Sequence, residues 1–586
     1  MDLKHIIEQS AKRYPEHTAI VLGDERLTYA ELDLKSNKLA NALRELGVKP
    51  GDRIATMLNN SIEYAICYFG IAKAGATTVP MDTRYKLEEM EAVFSICRPQ
   101  MLITESPFRD MLAPSLSRFS FLRHVMDISP EPDPNLLNLR DLIAAASDRE
   151  TAIEINPADT AVITYTSGPS TDPHGAMISH RSLFTDAAMS IGAFRQNEQD
   201  VVMLFALPVY HMFGLVTVLI CSVMSGSTLV MVPGTGISIN TLLSTIEKEK
   251  GTILFGVPYI FSLAVKMAKR EGINNDLSSL RLCVSGGAPL SPNTVRQFKK
   301  YYGFTLLDIW GLTEATSHVT CPPLDRVKIG TAGKPMPGWQ LKIVDDNGRD
   351  LPANQPGEIV IKGPTMSGYY RNPGATARVM KKGWLHTGDI GILDEEGYVS
   401  ITGRKKKMII LKGQNVYPVD VEKVLLEHPR IATVKVVGVP DQLRGEIVTA
   451  IITPKYGEKI TEQEIRHYCQ QRMADFKAPK QIILTEAPQP LIARYAAEPV
   501  KRYLSRLSYS LSRSPYTGIE QVLRSHPKVA GAKVSSIPDR LRGEMLKAVI
   551  RIKEGEMVTE EEIRRFCQEK LANSRFFQKI TFKAKS

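Results

Sequence analysis

Residues 421–473 and 519–571 share one pattern in an unbroken register, offset by 98 residues, and no other feature limits the fold as much. His428-Pro429 answers His526-Pro527, Pro440-Asp441 answers Pro538-Asp539, and Cys469-Gln470 answers Cys567-Gln568. Between them, Leu443-Arg444-Gly445-Glu446 answers Leu541-Arg542-Gly543-Glu544. Each copy also opens a helix with a threonine followed three residues later by a glutamate, Thr461 with Glu464 and Thr559 with Glu562, so that hydroxyl and carboxylate satisfy each other's backbone donors. The repeat predicts a small α+β unit of strand, strand and helix in two tandem copies. Two copies fall short of the roughly three that a solenoid needs.

Upstream, strand-like and helix-like apolar runs alternate, as in 39–46, 53–58 and 62–72, which predicts α/β layers with much parallel sheet. A chain of 586 residues with 43% hydrophobic and 23% charged residues has room for two to four packed domains, which excludes a disulfide miniprotein or a disordered chain. The excess of 74 Lys and Arg over 63 Asp and Glu suits a phosphate-bearing ligand. The seven cysteines form no C-x-x-C pair, so reduced thiols of a cytoplasmic protein are expected, without a zinc site. Charges at Lys4, Glu8, Lys12 and Arg13 break up any export signal, and no stable membrane insertion is expected. The uncharged stretch 201–226 contains Pro208, Tyr210, His211 and Gly214, so it reads as a buried strand, turn and helix.

The strand-like 162–165 runs into a hydroxyl- and glycine-rich turn carrying Thr166, Ser167, Gly168, Ser170, His174 and Gly175, before a helix near Arg181. Such a turn aims backbone N–H and side-chain O–H groups at phosphate oxygens. Further on come Ser285-Gly286-Gly287-Ala288-Pro289, Asp308-Ile309-Trp310-Gly311-Leu312-Thr313-Glu314, Thr387-Gly388-Asp389, Gly403-Arg404 and the 413–418 segment GQNVYP.

In that order these motifs resemble the adenylate-forming superfamily of acyl-CoA synthetases, firefly luciferase and peptide-synthetase adenylation domains, over nearly the whole chain. The resemblance implies Asp389 as acceptor for both ribose hydroxyls with Arg404 at the same sugar, Glu314 as the hard oxygen ligand of Mg²⁺, and Thr313 at a phosphate oxygen, roles that suit the chemistry of these side chains. Thr28 to Leu32, Gly47 to Asp52 and Lys73 to Ala76 are similar to its N-terminal half. The resemblance implies an α/β fold: a large domain, residues 1–402, of two sheets with helices plus a small β-barrel, then an α+β lid, 403–492, and a divergent second lid, 501–586. It implies ATP, Mg²⁺ and CoA, with a carboxylic acid adenylated and then passed to a thiol. Gly286, Gly287, Ala288 and Asp308 would lie at the adenine with Trp310 as a stacking or wall residue, and His211 beside the carboxylate. Lys406 would be the hinge of a rotating lid, and Lys412 and Gly413 the loop lining the pantetheine path. The apolar Met212, Phe213, Leu215 and Val216 favour an apolar acid.

Three departures leave adenylation competence open. In the phosphate loop Pro169 removes a backbone donor, Thr171 replaces a glycine, and His174 replaces a lysine that would keep its charge at neutral pH. Near the end of the first lid, Ala497-Glu498 stands where the superfamily has Gly-Lys, with Lys501 three residues out of register. The second lid lacks the glycine loop, and its leading segment 501–514 reads as a partly packed linker, not a nucleic-acid or membrane contact. Alternative readings remain: a non-catalytic nucleotide-, acyl- or CoA-binding protein, or a ligase that loads an acyl-carrier protein. An oligomer is also left open.

Overall fold

The computed structural model describes residues 1–586 apart from 107, 130–132, 166–172, 233–237, 406–407, 413, 442, 456–457, 486–522, 540–542, 554–555, 557, 564–565, 567–578 and 584–586. Two compact units divide the chain, Met1–Pro488 and Gln489–Ser586.

The alternation of the first 300 residues folds as two parallel-rich sheets. One has seven strands, in the order Leu306–Asp308, Leu282–Ser285, Ile253–Gly256, Val201–Leu204, Thr228–Met231, Thr18–Leu22 and Glu25–Thr28. The other has eight, with Thr160–Tyr165, Thr77–Pro80 and Arg53–Met57 at its centre and Gly368–Tyr369 at one edge. The helix Ile62–Lys73 packs on strands of both sheets and buries every residue but Glu63, the pattern of a helix apolar all round. Its one buried cation, Lys73, is paired with Asp33 at 2.6 Å and Glu8 at 3.5 Å, and also donates to Asn37 Oδ1 at 2.6 Å. The stretch 201–226 is the expected buried strand, turn and helix, Val201–Leu204 leading to a π-helix Phe213–Ile220 and a short α-helix Cys221–Ser225. Among the described residues no helix is long and apolar enough to cross a membrane.

Where a small barrel was expected lies an antiparallel sheet of Gln340–Val344, Gly357–Lys362, Trp384–Leu393, Met380–Lys381 and Val399–Arg404. Its outer strands do not pair with each other among the described residues. The chain then enters the first lid. Ile431–Asp441 and Gly445–Pro454 form its central antiparallel pair, and Gln481–Leu484 joins in parallel. The helix Glu462–Arg472 begins with the predicted capping box, Glu464 N–H to Thr461 Oγ1 at 3.2 Å and Thr461 N–H to Glu464 Oε2 at 2.8 Å.

The unit Gln489–Ser586 carries Val529–Asp539 paired antiparallel with Gly543–Ile552, and Lys579–Lys583 parallel to the latter. Val529 pairs Ile552 here as Ile431 pairs Pro454 in the lid, each partner 98 positions on. Its Glu562 N–H donates to Thr559 Oγ1 at 3.2 Å, the hydroxyl half of the second predicted cap.

Candidate active site

Parallel strands of the seven-stranded sheet end side by side, and ligands of such sheets gather outside the carboxyl ends of the strands. Leu282–Ser285 runs into Gly286, Gly287 and Ala288, and Leu306–Asp308 ends in register with it, Ser285 opposite Asp308. Gly287 adopts φ +81°, a left-handed conformation that suits glycine, and a Cβ on Gly286 would lie 2.9 Å from Ile309 Cγ1 and 3.2 Å from Phe213 Cε1. Ile309 and Phe213 thus leave no room for a side chain at Gly286. Burial pushes the Asp308 carboxyl well above the usual carboxylate range, against a hydrogen bond from Leu290 N–H.

Two residues on, Trp310 is buried, and its indole N–H donates to Asp389 Oδ2 at 2.9 Å, so it orients that carboxylate. Asp389 comes from the strand Trp384–Leu393 and faces Arg404 of the neighbouring strand in antiparallel register. Arg404 Nε forms an ion pair with Asp389 Oδ1, and Nη2 lies 3.4 Å from Oδ2. Both carboxylate oxygens are thus held, Oδ2 by Trp310 and Oδ1 by Arg404. Burial raises the Asp389 pKa, and Arg404 and Trp310 pull it back.

Thr313 and Glu314 form a 3₁₀ turn, Thr313–Ala315. Glu314 Oε1 accepts from the Tyr369 hydroxyl at 2.8 Å, and the Tyr369 ring lies 4.9 Å from that of His174. His174, at the end of the phosphate loop, therefore reaches the same cluster as Glu314. Thr166, Ser167, Gly168 and Ser170 lie outside the described residues. A single carboxylate suits Mg²⁺, which keeps several waters and takes its remaining oxygens from substrate phosphates. Among the described residues no group of three or more potential metal-ligating side chains occurs.

His211 lies between the strand Val201–Leu204 and the π-helix. A Cβ on Gly214 would come within 2.3 Å of the Pro208 carbonyl oxygen, so only glycine lets the helix start close against this turn. The His211 side chain is exposed, yet the protein around it lowers its pKa by desolvation, with Asp82 opposing and Arg84 assisting. Tyr210 beside it donates its hydroxyl to Asp82 at 3.1 Å. Of the expected apolar lining, Leu215 and Val216 are fully buried core.

The small domain that follows meets the large one at several contacts. Ile409–Leu411 and Gln414–Val416 form a hairpin whose turn residue Lys412 has φ +53° and carries its ammonium 4.7 Å from the ring centroid of Tyr259 on the large domain. Tyr417, just after the hairpin, is raised to about 12, first by burial and then by the charge of Glu314. Lys405 is tied to the large domain through Glu358 at 3.1 Å and Asp346 at 3.0 Å. Lys406 and Gly413 lie outside the described residues, as do Glu498 and Lys501. A crevice of about 970 Å³ runs along the seam between large domain and lid, lined among others by Arg84, Lys86, Lys412, Arg444 and Lys480. Sequence reasoning missed Tyr369, Tyr259 and this seam.

A large α/β domain that brings Trp310, Asp389 and Arg404 together, followed by a small α+β C-terminal domain, has the layout of a nucleotide-binding enzyme with a C-terminal cap domain. The chain belongs to the AMP-binding enzyme family, which it matches over residues 7–370, and the family's C-terminal domain matches 420–491 and 518–585. A long-chain-fatty-acid–CoA ligase of Escherichia coli O6:H1 is 31% identical over 516 residues, 82% of this chain and 90% of that one. A feruloyl-CoA synthase of an Amycolatopsis species is 32% identical over 481 residues, 81% and 93% of the two chains. Among solved structures, o-succinylbenzoate CoA synthetase from Bacillus subtilis superposes with a TM-score of 0.72 at 27% identity, covering 82% of this chain and 94% of its own. The chain is acyl-CoA synthetase-like, akin to AMP-forming acid–thiol ligases.

Proposed function

We propose that the protein activates an apolar carboxylic acid as its acyl-adenylate and transfers the acyl group to CoA in the cytoplasm. The observation that carries this reading is the buried carboxylate of Asp389, fixed between Trp310 and Arg404, with Glu314 and the Tyr417 that follows the hairpin close enough to feel its charge. In the first step a carboxylate oxygen bonds to the α-phosphorus of ATP and the bond to the β-phosphate oxygen breaks, releasing pyrophosphate. In the second, the CoA sulfur, having lost its proton, bonds to the acyl carbon and AMP leaves.

Asp389 and Arg404 hold the ribose in this reading. Gly286, Gly287, Ala288 and Asp308 border the base, and Thr313 and His174 face the phosphates. Glu314 would hold Mg²⁺, which supplies charge neutralisation at the phosphate oxygens. His211 borders the carboxylate, and the desolvated setting that keeps its imidazole uncharged spares the acid a competing ion pair. Lys412 and Gly413 line the thiol's approach. The cationic crevice at the seam suits the phosphates of CoA, whereas a carrier protein would present a single phosphopantetheine.

The test is pyrophosphate release from ATP with a panel of aliphatic and aromatic acids, followed by thioester formation on free CoA. Acid-dependent pyrophosphate release and an acyl-CoA product are expected. AMP and CoA binding without pyrophosphate release from any acid would leave the non-catalytic reading in its place, and thioester on a carrier protein alone would exclude CoA as acceptor.

A further inference from the structure

The unit Gln489–Ser586 keeps the frame of the first lid and changes one face of its sheet. Alternating burial fixes which face is inward: Ala532, Val534, Ala548 and Ile550 are buried, whereas Lys533 and Arg551 are exposed. Successive residues of a strand point to opposite faces, so positions of one parity share a face. Lys533 stands opposite Val549, Lys547 opposite Lys579, and Arg551 opposite Lys583, which places five cations on the outward face. Among the described residues of that face the one acid, Asp539, stands at the turn between the first two strands. Lys547 with Lys579 and Arg551 with Lys583 are like-charged pairs, the partners one strand spacing of about 4.8 Å apart and the pairs about 13 Å apart along the strands.

The first lid shows what this frame carries otherwise. At the positions 98 earlier stand Thr449 with Gln481 and Thr453 with Thr485, neutral pairs whose side chains hydrogen-bond at 3.3 and 2.7 Å. Lys435, the counterpart of Lys533, is a cation in both copies. Folding does not ask for the exchange, since the neutral pairs serve the same strands, and like charges set opposite each other in a sheet destabilise it. A face that gathers charge against that cost is complementary to an extended anion. No aromatic residue occupies it, so a single-stranded nucleic acid finds no ring to stack on and a protein partner finds no aromatic anchor. A flat array of phosphates asks for neither, because cations meet it through charge alone.

We propose that the sheet face of Lys533, Lys547, Arg551, Lys579 and Lys583 docks the protein reversibly on an anionic phospholipid surface, without inserting into it. The duplicate then has a task of its own, which goes beyond the acid-activating reading and does not depend on it.

The test is co-sedimentation of the full-length protein with vesicles of phosphatidylcholine alone and of equal parts phosphatidylcholine and phosphatidylglycerol. Binding to the mixed vesicles alone is expected, and it should fall steeply as salt is raised. Giving the duplicate the first lid's residues, Lys547→Thr, Arg551→Thr, Lys579→Gln and Lys583→Thr together, should weaken that binding about 10²-fold or more, since four near-surface cations are removed, and leave AMP binding unchanged. Lys547→Arg with Arg551→Lys keeps the charge and should keep the binding. Removing as much charge from exposed helix positions of the large domain, with Lys266→Gln, Lys269→Gln, Lys299→Gln and Lys300→Gln, should keep it too. No binding to either vesicle, equal binding to both, or equal loss in the two quadruple variants overturns the proposal. So does tighter binding to duplex DNA than to the mixed vesicles at the same salt.

Discussion

Asp389 is where one residue decides most. Its Oδ2 is committed to the Trp310 N–H and its Oδ1 to the Arg404 guanidinium. Asp389→Ala should cost about 1–3 kcal/mol of AMP affinity by calorimetry, since the ribose hydroxyls would be buried without an acceptor. Trp310→Phe keeps the wall but lets the carboxylate turn, and should cost about 1 kcal/mol. The loop 166–175 departs from the superfamily pattern at Pro169, Thr171 and His174. Restoring a donor, a flexible position and a fixed charge with Pro169→Thr, Thr171→Gly and His174→Lys together should raise pyrophosphate exchange about 10²-fold or more. No gain would move the limit to Glu498, which stands where the superfamily's lid carries a lysine.

Among elements, the lid is held by a clasp on the helix Leu87–Cys97. Glu89 forms a buried ion pair with Lys477 and accepts the Ala474 N–H at 3.2 Å, while the Arg84 guanidinium lies 4.4 Å from the Phe476 ring centroid. Any rotation of the lid must open this contact. Glu89→Ala strands a buried ammonium and should loosen the lid by about 3 kcal/mol, seen as faster tryptic cleavage at Lys405–Lys407. Replacing both partners, Glu89→Leu with Lys477→Met, should restore most of the protection, because two charges no longer have to be desolvated. The sequence could not announce this clasp, whose partners are 388 positions apart, nor the Tyr369 hydroxyl on Glu314, 55 apart. What it did announce is local: the alternation of strands and helices, the Thr461 cap, the glycines after Ser285, and carboxylates and cations in one order along the chain. Trp310 shows the limit. Its ring was legible as a pocket wall, but the direction of its N–H depends on a strand 79 residues away.

Across the whole molecule, stability at acid pH turns on anchors such as Asp200. Its carboxylate takes two bonds from Arg281, at 2.8 and 2.7 Å, and one from Thr252 at 2.7 Å; burial opposes ionisation, yet these bonds keep its pKa below the usual value. A depressed pKa stabilises the fold above the unfolded-state value of about 3.9 and ceases to do so as pH falls through the folded one. Asp200→Asn should therefore cost about 1–2 kcal/mol at pH 7, with Arg281 half-exposed and screened, and the gap in melting temperature should close toward pH 3. The second prediction at this scale concerns Gln489–Ser586. That unit has its own sheet and its own buried Leu523, Val529, Ala548, Ile550 and Ile563, enough to unfold as a separate step. Every described residue assigned to nucleotide, acid or thiol lies in Met1–Pro488. Thermal unfolding of the full chain should thus show more than one transition, and AMP should raise only the one that survives in a chain ending at Pro488, since a ligand stabilises the unit that binds it. A truncated protein that stays folded but no longer gains stability from AMP would show that the second repeat supplies part of the site.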